Sequence, residues 1–151
     1  MNTTPTHQTQ TRAALPAWRV AMRWLYLLLA LLIAVGVVVQ VFFAGAAVLA
    51  DPALWGAHRA FSGVIAVAIL ALLPIGLFTG LPWRVQVGGL GLYLLFELQY
   101  VFLHVMPQLG LPLLRGLHAV NALTLFGVAL MLVWHAWRSL RRPTRLVTTP
   151  E

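Results

Sequence analysis

Apolar residues dominate four long stretches of the chain, at about 24–49, 57–79, 84–106 and 114–137, and polar residues gather between and beyond them. A bilayer core of ~30 Å needs ~20 apolar residues in a helix rising ~1.5 Å each, so each stretch is long enough to cross. None shows the period-2 alternation of a half-buried strand, which predicts an all-α protein. Pro52, Pro82, Pro107 and Pro112 stand at the junctions, where a missing amide proton does no damage. Pro74 stands inside the second stretch, where a kink is expected. The connection TGLPWR is short enough to make the second and third helices antiparallel neighbours. The reading is an integral membrane four-helix up-and-down bundle over residues 24–138. A disordered tail with interfacial tryptophans precedes it at 1–23, and a basic tail follows at 139–151. FFAGAAVLA offers small residues to a signal peptidase, but the apolar run before it is too long for a signal sequence, so no cleavage is expected.

Composition agrees: 61% of the 151 residues are hydrophobic and 9% charged, with mean hydropathy +0.89, far from a soluble domain. The net charge of +7 comes from ten arginines and no lysine, a bias that, with the richness in Ala, Leu, Val and Gly, points to a GC-rich bacterial genome. These arginines flank apolar segments, so the lipid bilayer is the expected partner and nucleic acid is not. Arg12, Arg19, Arg23, Arg84, Arg138, Arg141, Arg142 and Arg145 fall on one side of the bundle, and only Arg59 and Arg115 on the other. Both termini are therefore expected to be cytoplasmic, in a multi-pass protein of the cell's inner membrane. With no cysteine, the strong transition-metal ligands that remain are the histidines.

The rare polar groups repeat. Gln40 lies 18 residues before His58, and Gln99 lies 19 residues before His118. Each half is a helical hairpin with a glutamine deep in its first helix and a histidine opening its second. Two such hairpins run in the same direction, related by an axis along the membrane normal. Helices two and four are then diagonal, and the two imidazoles can face each other across the bundle at one depth. Arg59 follows His58, and Arg115 precedes His118 by nearly one turn. Two imidazoles flanked by two guanidiniums suit a planar metal macrocycle with carboxylates, which is haem b. Asn121 lies on nearly the same face as His118 and either orients that ring or packs a helix.

VQVFFAG at 39–45, His58 and Arg59 opening helix two, and LHAVNALTLFG at 117–127 resemble an uncharacterised family of small four-helix bacterial membrane proteins, a domain of unknown function. In layout the four helices are similar, more distantly, to one half of haem A synthase, a resemblance that implies His58 and His118 as axial ligands. The second half of that enzyme has no counterpart here, so the resemblance does not carry over haem oxygenation.

Helix three raises a conflict. Glu97, Tyr100 and His104 share a stripe and form a candidate proton line, whereas Gln99 lies about 200° from Glu97 at ~100° per residue. The repeat turns Gln99 inward; the cost of a carboxylate facing lipid turns Glu97 inward. A homodimer would accommodate both faces. His135 lies between Trp134 and Trp137 and reads as interfacial, and His7 receives no role. A phosphate loop, paired catalytic carboxylates and a zinc protease signature are all missing from the sequence. Two functions follow as expectations. The first is a bis-histidine haem b protein serving electron transfer, to a quinone or a redox partner, or haem handling at the outer face. The second is a non-catalytic assembly component without a cofactor.

Overall fold

The computed structural model describes residues 9–10, 15–141 and 147–148. Four helices in it are long and apolar enough to cross a membrane, and the faces they turn outward are apolar; the chain is a multi-pass membrane protein with an all-α fold over residues 17–141. Helix α1 spans Ala17–Leu49, α2 Leu54–Phe78 and α3 Trp83–Tyr100. The third crossing continues through a π turn, Val101–Val105, and a last α turn, Met106–Gln108. A 3₁₀ turn, Pro112–Gly116, leads into α4, Leu117–Arg141. A two-residue antiparallel pair, Thr9–Gln10 with Val147–Thr148, joins the two tails.

Two ends differ from the sequence reading. Helix α1 starts at Ala17 rather than near residue 24, with Pro16 as its N-cap residue, and α4 runs on to Arg141. Hydropathy marks where lipid ends, whereas a hydrogen-bonded helix carrying Trp and Arg continues into the interface. The remainder of the expected tails, including His7, Arg12, Arg142 and Arg145, lies outside the described residues.

Local chemistry sets the connections. Between α2 and α3, the Thr79 hydroxyl donates to Gly76 O at 2.6 Å and accepts Leu81 N–H at 3.1 Å. Gly80 supplies the positive φ, +64°, that closes this tight turn. Arg23 ties the same end together: Nε donates to Thr79 O at 3.0 Å and a terminal nitrogen to Ser139 O at 3.4 Å. After α3, Pro107 has no amide proton to offer the preceding turn, and there the ladder widens to the π pattern. Leu111 N–H then bonds Met106 O and Gly110 N–H bonds Pro107 O. With Gly110 at φ +79° this is a Schellman ending, placing glycine where a left-handed residue is needed.

Neighbouring helices pack in ring order α1, α2, α3, α4, so α2 and α4 are diagonal. The core is unevenly distributed along the bundle. Tyr26, Ile33, Ile69, Leu72, Leu92 and Leu132 are fully buried and fill the half nearest the termini. Toward the far end, α2 buries nothing before Ile65, α3 nothing after Leu92, and α4 only Asn121 before Leu125. One half of the bundle is thus close-packed and the other splayed. The polar residues of interest stand in the splayed half.

Candidate functional site

Splaying opens a cavity of about 600 Å³ between the hairpin α1–α2 and the hairpin α3–α4, lined from all four helices. His58 enters from α2 and His118 from α4, both partly buried. Their ring centroids are 6.5 Å apart with planes 60° to one another. The diagonal position of α2 and α4 makes this meeting possible, and the equal depth of the two histidines comes from the repeat.

Backbone groups hold the first ring. His58 Nδ1 lies 3.1 Å from Gln40 O. A carbonyl oxygen can only accept, so Nδ1 carries the proton and Nε2 keeps its lone pair. Trp55 meets the same ring edge to face at 5.4 Å. The second hairpin repeats the placement, with His118 set against the backbone of Gln99. There Nδ1 stops short of hydrogen-bond geometry and is buried without a partner. The spacing of each glutamine and histidine thus has a structural meaning: the glutamine's main chain, rather than its amide, meets the imidazole.

Each glutamine amide also has an unpaired oxygen. Gln40 Oε1 and Gln99 Oε1 are buried and unpartnered, as is His118 Nδ1, and all three residues line the cavity. Buried polar groups are nearly always paired, and these three atoms, brought from three different helices, have no partner among the described residues, as Tyr26 Oη has none in the close-packed half.

The other candidate residues separate. Arg59 is exposed and lines the cavity. Arg115, expected to flank the site with it, is exposed on the 3₁₀ turn and does not line it. Asn121 points at a helix instead of a ring, its amide donating to Leu95 O on α3 at 2.8 Å. This bond replaces water for a polar group inside the bundle and fastens α4 to α3. Asn121→Ala is expected to lower stability by ~0.6–2 kcal/mol, the range of interhelical hydrogen bonds in membranes, with the imidazole spacing unchanged. Thermal unfolding in detergent measures it. Ser62, one turn after His58, donates to its own helix at Arg59 O, 2.6 Å away.

The conflict on helix three resolves toward the repeat. Gln99 turns inward and Glu97 is exposed on the outer face. Tyr100 and His104 stack at 4.5 Å between centroids and line the mouth of the cavity, while Glu97 does not line it. The three are therefore split between two surfaces. His135 is exposed at the terminal end, away from the cavity. Sequence reasoning missed Phe96 and Ile65 as cavity walls, since an apolar residue in an apolar helix gives no sign of which gap it faces.

Among the described residues no group of three or more His, Asp or Glu side chains could hold a metal ion. The chain is similar over residues 40–105 to a family of unknown function (DUF6220). That stretch opens on Gln40, contains His58, Gln99 and His104, and stops before His118. No curated protein and no solved structure matches the chain.

Proposed function

We propose that this chain is a b-type haem protein of the membrane, holding the macrocycle between His58 and His118 in the splayed half of the bundle. The observation that carries the reading is the separation of the two rings. Metal–nitrogen bonds of ~2.0–2.1 Å on each side plus a ring radius of ~1.1 Å put two axial imidazoles roughly 6.3 Å apart between centroids. The rings here are 6.5 Å apart. Two protein ligands are too few for a bare ion but are the number an iron macrocycle leaves open, since the ring supplies the other four. The Nδ1 bond of His58 to Gln40 O supports the same reading, because metal-bound histidines habitually donate their other N–H to a carbonyl.

In this proposal Gln40 O orients His58, and Gln99 O does so for His118 after a small closure of α4 on α3. The glutamine amides, whose oxygen and nitrogen can be exchanged by rotation, bond cavity water or the cofactor's carboxylates. Arg59 neutralises those carboxylates. Bound there, haem would supply one-electron transfer, with His58 and His118 as the residues that would hold it. The eight-to-two division of arginines supports cytoplasmic termini in the inner membrane, which sets the cavity near the outer face; a quinone or a redox protein would exchange electrons there.

Haemin titration into the purified chain in detergent, followed at the Soret band, tests the proposal. Saturation at one equivalent is expected. Arg59→Gln should weaken binding roughly two- to fivefold, the worth of an exposed ion pair, and Arg115→Gln should leave it unchanged. A folded chain that gives no Soret shift would instead favour an assembly protein without a cofactor.

A further inference from the structure

Glu97 is the one acidic residue within the four spans. It stands near the middle of the 26-residue crossing Trp83–Gln108 and is exposed on the outer face of α3. At ~1.5 Å per residue its carboxyl is on the order of 15–20 Å from either end of the helix, too deep for so short a side chain to reach headgroups. Left against acyl chains, an ionisable group is costly and calls for a protein partner.

The surface around it is built for one. The third crossing is the least covered of the four, with 11% of its apolar window buried against 22–33% for the others. Val87, Leu90 and Leu94 are exposed on this side at helical spacing before Glu97, and a Cβ at Gly91 would meet open space. The spacing of three and four residues that joins Val87, Leu90, Leu94, Glu97 and Val101 is that of a helix-pairing seam. Gly91, beside that seam, lets a second backbone come close.

We propose that α3 is the contact between two copies of this chain, paired side by side about a two-fold axis along the membrane normal, with Glu97 meeting Glu97 of the second copy. Such an axis brings each residue of the seam against its own copy at the same depth. A carboxylic acid carries both a donor and an acceptor, so it is complementary to itself, which is what this symmetry demands. A basic group from another protein would need no such symmetry and is the rival the test excludes. The proposal is independent of haem, since Glu97 lies outside the cavity wall.

Because the chain has no cysteine, single cysteines report without background. Leu94→Cys in the full chain, in native membranes and after purification into vesicles, is expected to give a bismaleimide-linked homodimer. Val67→Cys, exposed on α2, is expected not to. Resonance energy transfer between labelled copies in vesicles should show association about tenfold weaker for Glu97→Leu, and near wild type for Glu97→Gln, which keeps a donor and an acceptor. Leucine is at home in lipid, so the variant should fold, which helical circular dichroism checks. Equal cross-linking of the two cysteine variants, a Leu94→Cys product with a different protein in place of the homodimer, or unchanged transfer for Glu97→Leu would each overturn the proposal.

Discussion

His118→Ala, expressed with haem supplied, is expected to purify colourless or with a weak high-spin pigment while keeping its helical circular dichroism. His58→Ala should behave the same way, and His135→Ala should keep the full pigment of the parent chain. The argument is one of symmetry in the site: each imidazole holds one axial position, and neither has a stand-in. The cavity's other histidine, His104, is exposed at its mouth and stacked on Tyr100. Alanine at 118 also removes a buried nitrogen that lacks a partner, so the variant loses no hydrogen bond on which the fold depends. A coloured, low-spin His118→Ala protein would remove that residue from the site.

Gly36→Leu is expected to lower stability by ~1–3 kcal/mol, the usual cost of overpacking, and to loosen the site with it. A Cβ at position 36 would lie 2.9 Å from Ile65 Cγ1 and 3.2 Å from its Cδ1, closer than packed carbons tolerate. Ile65 is 4% exposed and forms part of the cavity wall, so it can yield only by pushing into the cavity or by prying α1 from α2. Gln40, one turn further along α1, would then move away from His58 Nδ1. Thermal unfolding and haem retention should fall together. Gly45→Leu, on the same helix with nothing within 4 Å, should change stability by less than ~0.5 kcal/mol, as surface substitutions do.

The periodicity that made four helices legible also made half of the site legible. Long apolar runs bounded by prolines have few alternatives to membrane helices, and in an up-and-down bundle the second and fourth are diagonal. From that, the meeting of His58 and His118 could be read out of spacing alone. Spacing to a neighbour in the chain does not say which side chains at a helix entry reach the cavity. Arg115 precedes His118 by three residues on a 3₁₀ turn and is not part of the cavity wall. The part played by Gln40 was half visible: its position counts because its carbonyl meets His58, and a main-chain group leaves no mark on the residue type. Of the two roles that the sequence left open for Asn121, helix packing is the one its amide takes, on Leu95 O of the neighbouring helix. Glu97 and Gln99 could not be ranked from sequence, because both rotations of α3 leave one polar group outside. Packing decides it: Gly88 turns toward Leu132, where a Cβ would lie 2.9 Å from its Cδ2, and this close approach of α3 to α4 sends Glu97 outward.

The electron paramagnetic resonance spectrum of the ferric, haem-loaded chain tests the central claim most directly. Two imidazoles gripping one iron predict a low-spin signal in the parent chain that disappears in both His58→Ala and His118→Ala. A high-spin signal in the parent chain, or a folded chain that takes up no haem at all, would contradict it.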